Sequence, residues 1–156
     1  MASTVTASTL TVSLSESITL NGQELGATNT KTIASINEVS KRIISILHTS
    51  EVEIVGMSTA VSSGTFHEDD VRYIRVTNLD DTNHVVLTCK DEDATEFAVL
   101  LDSGQSFIYN ADLVGGVKNT MHAGGSALTV SLNDLVNITA LADTATVDLE
   151  VFVASV

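Results

Sequence analysis

The residues of this chain best equipped for chemistry are four histidines, one cysteine and two short acidic runs. His48, His67, His84 and His122 are scattered, with no His-x-His or His-x-x-x-His spacing, so no zinc site is written into the local sequence. Each reads as a surface or loop residue. Cys89 closes the run Val85-Val86-Leu87-Thr88-Cys89 and is followed by Lys90 and then Asp91-Glu92-Asp93. A reactive thiol needs cationic surroundings to hold its thiolate; this one reads as a small buried apolar residue of a strand. Glu68-Asp69-Asp70, and Asp91-Glu92-Asp93 with Glu96, offer oxygen ligands of the kind calcium takes, but neither run has the Gly and terminal Glu spacing of an EF-hand loop. Solvated turn acids are the default reading. The nearest approach to a nucleophile elbow, Gly124-Gly125-Ser126-Ala127-Leu128, lacks the final Gly and precedes an expected strand rather than a helix. Gly116-Val117-Lys118 has no upstream phosphate cradle, and a dinucleotide fingerprint is missing. The sequence therefore singles out no catalytic, cofactor-binding or metal-ligating residue, and the expectation is a protein that is not an enzyme and uses no cofactor.

What must position any site is an aliphatic core. Hydrophobic residues make up 44% of the 156 residues while aromatics make up 4%, which suits Val, Ile and Leu on pleated strands better than a ring-lined cavity. A chain of this length forms one domain and buries roughly 68–70% of the surface its unfolded form exposes. Twenty acidic against seven basic residues give a formal charge of −13, and no basic cluster exceeds Lys41-Arg42. Neither nucleic acid nor an anionic membrane surface is expected as a partner, because both demand a cationic face. The opening Met1-Ala2-Ser3-Thr4-Val5-Thr6 carries no positive n-region and no apolar h-region, so no signal peptide is expected.

The pattern along the chain is one of short strands. There is no Pro, which fits a sheet protein with few edge positions. Leu10, Val12 and Leu14, then Ile18 and Leu20, alternate with Ser and Thr before Asn21-Gly22, a strong hairpin signal. Residues 1–12 read as a possible extended arm, and residues 13–156 as one domain. Ser35 and Glu38 resemble a capping box ahead of Ile36, Val39, Ile43 and Leu47 at helical spacing, yet Arg42-Ile43-Ile44-Ser45-Ile46 is dense in β-branched residues and strand is the favoured reading. Strands are expected within 51–56, 71–77, 84–89, 96–101, 106–109, 128–132, 136–141 and 147–153. The turn clusters at 78–83, 91–95 and 102–105 predict three successive hairpins in a meander. The loops at 62–70 and 112–125 interrupt this pattern, and Phe66 in the first is the only aromatic expected to be exposed. Nine or ten short strands define an all-β chain, an antiparallel β-sandwich or jelly-roll-like single domain. Ile74, Val76, Val86, Val99, Ile108, Leu149 and Val151 are its expected core.

Residues 71–80 (Val71-Arg72-Tyr73-Ile74-Arg75-Val76-Thr77-Asn78-Leu79-Asp80), Phe97, residues 101–107 (Leu101-Asp102-Ser103-Gly104-Gln105-Ser106-Phe107) and the closing Asp148-Leu149-Glu150-Val151-Phe152-Val153-Ala154 resemble small structural proteins of tailed bacteriophages, particularly marine ones infecting cyanobacteria and their neighbours. The resemblance spans about residues 30–156 and rests on strand and turn patterns, so no functional residue carries over. It implies a virion protein present in many copies: a head cement or decoration subunit on the major capsid protein, or else a tail or fibre component. A carbohydrate- or receptor-binding module is the rival reading, weakened by the absence of Trp. The expected partners are copies of the chain itself and other virion proteins, such as major capsid or tail proteins, and the expected location is the virion, assembled in host cytoplasm. An N-terminal arm over residues 1–12 would contact a neighbour; alternatively it adds an edge strand to its own sheet.

Overall fold

Alternating aliphatic residues put one side of a strand in the core and the other in water. The last strand shows this cleanly, with Val147, Leu149, Val151 and Val153 buried and Asp148, Glu150 and Phe152 turned outward. A computed structural model describes residues 4–111, 115–119 and 133–156. Those residues contain no helix and fourteen strands. In chain order they are β1 (Ser8–Glu16), β2 (Thr19–Leu20), β3 (Gln23–Glu24), β4 (Ala27–Ile36), β5 (Glu38–Ile46), β6 (Val52–Ser58), β7 (Thr65–His67), β8 (Val71–Asn78), β9 (Val85–Asp91), β10 (Glu96–Leu101), β11 (Ser106–Asn110), β12 (Lys118–Asn119), β13 (Asn133–Ala142) and β14 (Val147–Ser155).

Eight of them make the body. One sheet runs β11-β8-β14-β5; the other runs β10-β9-β13-β6, extended by the short parallel β7 and by β12 beside β13. The pairings nest: β5 with β14, β6 with β13, β8 with β11 and β9 with β10, all antiparallel. A long hairpin rolled up so that its successive pairs alternate between two sheets gives this order, which is that of a jelly roll. Between the sheets lies a single aliphatic core that includes Ile46, Ile54, Ile74, Val76, Leu87, Ile138 and Leu149. Each such side chain contributes roughly 1.5–3 kcal/mol by leaving water.

The all-β sandwich matches the expectation, but its wiring differs from the predicted meander. Only 91–95 closes a hairpin within one sheet. The turns at 78–83 and 102–105 are corners at which the chain crosses between sheets. Buried Asn78 ties both corners. Its Nδ2 donates to the carbonyls of Asn83 (2.9 Å) and Leu101 (3.2 Å), its Oδ1 accepts from Asp80 N–H (2.9 Å), and its own N–H donates to the Gln105 carbonyl (2.9 Å).

Burial corrects several positions. Val86 is only half-buried, because Val85, Leu87 and Cys89 take the inward positions of β9 and leave it on the outer face. Val99 is half-buried against the core, and Ile108 faces outward from its sheet into a second, smaller apolar cluster. Phe66 is buried, not exposed: its loop turns at Gly64 (φ +87°) and lays β7 alongside β6, opposite Met57. In β6 both Ile54 and Val55 are buried, since a register shift against β13 resets the alternation there. Residues 35–47 form no helix. Ser35, near the end of β4, sits at φ +65°, and Asn37, between β4 and β5, donates its N–H to the Ser155 carbonyl (3.1 Å). The strand expected at 128–132 lies outside the described residues.

The chain's first strand does not join either large sheet. Residues 8–12 begin β1, which pairs with β4 in a two-stranded sheet, Leu10 opposite Ile33 and Glu16 opposite Ala27. Asn21 and Gly22, both at positive φ (51° and 79°), turn the short β2–β3 ribbon at its tip, as a type I′ turn requires.

Candidate interaction surface

Among the described residues, the side chains that could do chemistry lie apart from one another. Cys89 is fully buried in the core, and burial pushes its thiol up to about 12. A thiol so far from ionising is a poor nucleophile. His48 is exposed, His67 lies 3.9 Å from Asp70 and His84 lies 3.8 Å from Asp143, each on a different part of the chain. His122 and the Ser126 segment lie outside the described residues. Among the described residues no three His, Cys, Asp or Glu side chains are placed to share a metal ion.

The acidic runs prove structural in one case and crowded in the other. Asp91 is buried, not solvated, and organises its own turn, accepting hydrogen bonds from the N–H groups of Thr95 (2.8 Å) and Asp93 (3.1 Å) and from the Thr95 hydroxyl. Burial drives its carboxyl up, but those donors and the Asn133 amide outweigh it and hold it below the usual range. Glu68 moves the other way: partial burial, then the nearby charges of Asp134, Asp69 and Glu92, raise it. The fold thus brings both acidic runs to one end of the sandwich, an adjacency their sequence separation hides. Lys118 forms an ion pair with Asp134 there.

The largest departure from a plain sandwich is the β1–β4 hairpin. Its base packs across the outer face of the β11-β8-β14-β5 sheet, where Ile33 and Ile36 cover Tyr73 and Ala154 with Leu10, Val12, Ile108 and Phe152 around them. Tyr73 meets Phe152 edge to face, ring centres 5.9 Å apart. Between β1 and the sheet an open cleft of about 430 Å³ is lined by Leu10, Val12, Leu14, Ile108, Phe152 and Arg75, among others. Arg75 is already engaged, its Nη2 donating to Glu150 Oε1 at 2.5 Å, and Lys41 adds a second contact to Glu150 at 3.0 Å. Those two cations, Arg75 first, hold the Glu150 carboxyl down.

Beyond its base the hairpin stands clear of the body. Every residue from Ser13 to Glu24 is exposed, and the hairpin carries Leu14, Ile18, Leu20 and Leu25 at 51–59% exposure. Its form is nonetheless fixed. Cross-strand hydroxyl pairs join Ser13 to Thr30 (3.1 Å) and Ser15 to Thr28 (2.9 Å). Glu24 accepts from the N–H groups of Gly26 (2.8 Å) and Ile18 (3.2 Å) and from the Thr19 hydroxyl (3.1 Å), which lowers its carboxyl. Gly26 is required: a Cβ there would come within 2.2 Å of the Glu16 carbonyl oxygen.

Charge divides along the same line. Residues 1–47 hold three acidic and three basic residues, while residues 48–156 hold 17 against four, so the whole −13 belongs to the sandwich that follows β5. A Ser/Thr-rich alternation was legible in the sequence; that it forms a projecting hairpin was not, because β4 carries only Ile33 and Ile36 as large apolar markers.

None of the six aromatic side chains is exposed, so no ring platform of the sort sugar-binding modules use is present. The fold and this surface together define a jelly-roll β-sandwich bearing a projecting β-hairpin. Comparison with protein families, curated proteins and solved structures finds no match to the chain.

Proposed function

We propose that the chain is a non-enzymatic structural subunit of a tailed-phage virion, a head cement or decoration protein bound to the major capsid protein. The observation that carries this reading is the contrast, among the described residues, between a closed aliphatic sandwich and a projecting hairpin whose Leu14, Ile18, Leu20 and Leu25 remain exposed. A subunit that joins a larger particle needs a stable body and an exposed joining element. A soluble monomer gains nothing from four half-exposed Leu and Ile side chains on one hairpin. The phage-like strand and turn patterns at 71–80, 101–107 and 148–154 give the setting. The jelly roll is shared by viral capsid and lectin domains, which agrees with it at the level of fold analogy. The covered aromatics weigh against the glycan-binding alternative.

Protein composition of purified particles from a phage encoding the chain tests the proposal. The expected result is the chain at a copy number comparable with the major capsid protein and released with the head shell. A handful of copies co-purifying with tails would overturn the head assignment. Absence from washed particles would overturn the virion reading altogether.

A further inference from the structure

We infer that the occupant of the projecting hairpin is a second copy of this chain, which receives the hairpin tip on the outer side of its β5 strand. The inference deepens the virion reading and rests on it for its setting, while its contact is defined by this chain alone.

Two surfaces on the molecule are apolar and exposed, and both lie outside the acidic part of the chain. The hairpin beyond its base presents Leu14, Ile18, Leu20 and Leu25, and residues 13–27 carry Glu16 and Glu24 with no Lys or Arg. Strand β5 lies at the edge of its sheet, and its outward side presents Val39 and Ile43 at 55% and 63% exposure on either side of Lys41. Lys41 contacts Glu150 at 3.0 Å on that side, while Arg42 points to the other face of the strand, its Nη2 donating to the Ile54 carbonyl (2.5 Å). Across the sheet, Val39 aligns with Ala154 and Tyr73, and Lys41 with Phe152 and Arg75. The β5 strip therefore continues, row by row, the apolar face that the chain's own hairpin base already covers. The tip of that hairpin stays off the strip: Leu14, Ile18, Leu20 and Leu25 remain exposed, and so do Val39 and Ile43.

Self-association has a constraint that sharpens the choice. Two copies each carry −13, all of it on the sandwich after β5, so most ways of bringing them together set like charge against like. Hairpin tip against β5 strip reduces this, because both patches lie within residues 1–47, where three acidic and three basic residues balance. Donor and acceptor patches differ, so the contact is heterologous and propagates into a closed ring or a lattice rather than ending at a two-fold dimer. A trimer or a repeated surface subunit meets that requirement.

Sedimentation velocity over a concentration series tests the contact with two variants of the full chain: Leu20→Ser with Leu25→Ser on the tip, and Val39→Ser with Ile43→Ser on the strip. All four positions are exposed, and an unchanged melting transition verifies that each variant folds. The wild type is expected to self-associate, and each variant to weaken association by roughly 100-fold, two anchor residues at about tenfold each. Mixing the variants is the decisive arm: each retains the surface the other lacks, so an equimolar mixture should form a 1:1 pair and nothing larger. Association by the variants at wild-type strength would overturn the inference. So would a mixture that stays monomeric, and self-association of one variant alone at wild-type strength would point to tip-on-tip or strip-on-strip contact. A wild-type chain that remains monomeric throughout would assign the hairpin to a different protein. These outcomes separate from the virion reading, because a monomer found on purified particles sinks only the self-contact, and an oligomer missing from particles sinks only the virion.

Discussion

Replacing Asn78 with Ala should destabilise this protein far more than its place in a polar turn suggests. The side chain is 1% exposed and makes three hydrogen bonds, two of them donated to carbonyls belonging to two different sheet-crossing corners. A typical intramolecular hydrogen bond contributes about 1 kcal/mol net, and a buried group stripped of its partner costs about 1–3 kcal/mol. The Leu101 carbonyl is buried and the Asn83 carbonyl partly so. The expected loss is therefore about 3 kcal/mol, or a fall in Tm of roughly 6–12 °C for a domain of this size. Urea unfolding followed by far-UV circular dichroism measures it, with an unchanged m-value establishing that the native state is intact. Asn78→Asp separates donor loss from cavity formation, since it keeps the shape and the acceptor while losing both donated bonds. It should be at least as damaging as Ala. A loss below about 0.5 kcal/mol in the Ala variant, the range of ordinary surface substitutions, would refute the claim that this amide joins the corners.

Val151→Asp would set an unpaired charge in the centre of the core, and should cost several kcal/mol or abolish folding, read as loss of a cooperative melting transition. Gly26→Ala should leave the melting of the sandwich unchanged while exposing residues 13–31 to limited proteolysis, because the clash falls within the hairpin. Cys89 should resist alkylation at pH 8 in the native state and react on unfolding; Cys89→Ala should keep the fold and any particle binding. Glu51 is held low by the Thr139 hydroxyl and Lys90, Asp80 by the N–H groups of Asn83 and Thr82, and Glu150 by Arg75 and Lys41. Lowered native values mean that the stability they supply is complete above the unfolded carboxylate range, near pH 4, and drains away as pH falls through those values. Urea midpoints measured from pH 7 down to pH 2 should decline in that window.

How far the sequence could be read depends on what each segment's neighbours decide. β14 was legible over 147–153 because Val147, Leu149, Val151 and Val153 alternate with polar or outward residues; its last two residues, Ala154 and Ser155, are both buried and break that alternation. β9 was placed correctly but its facing was not. Val85, Val86 and Leu87 are consecutive aliphatics, and only pairing with β10 and β13 chooses which of them points inward. Turn chemistry located the corners at 78–83 and 102–105 without revealing that they cross between sheets, since a polar turn reads alike in a hairpin and in a corner. Asn78 looked like one more turn residue until its two carbonyl partners came from different corners. Phe66 was misplaced for a similar reason: a three-residue parallel strand inside a Ser/Gly-rich loop leaves no periodic trace. Convergence of the two acidic runs is a property of the fold's end and of no local pattern.

That convergence yields the most direct test of the charge layout. Glu68 is half-buried and faces Asp134, Asp69 and Glu92, and its carboxyl is raised first by burial and then by those charges. A raised native value in an acid means that folding favours the protonated form, so ionised Glu68 opposes stability. The opposition is absent at low pH, grows as pH rises from the unfolded value through the native one, and is complete above it. Glu68→Gln removes it while preserving shape. The variant should be more stable than the wild type at pH 7, by an amount of the order of a partly screened like-charge contact, about 0.5–1 kcal/mol. The gain should shrink to nothing as pH falls through the Glu68 titration, opposite in sense to the losses expected from Glu51, Asp80 and Glu150. Added salt should shrink it as well, because the repelling groups lie at the solvent boundary. A Gln variant less stable than the wild type at pH 7, or one whose advantage grows on acidification, would mean that Glu68 is held by a favourable contact instead. The acidic end would then be a built feature of the fold rather than a strain it tolerates.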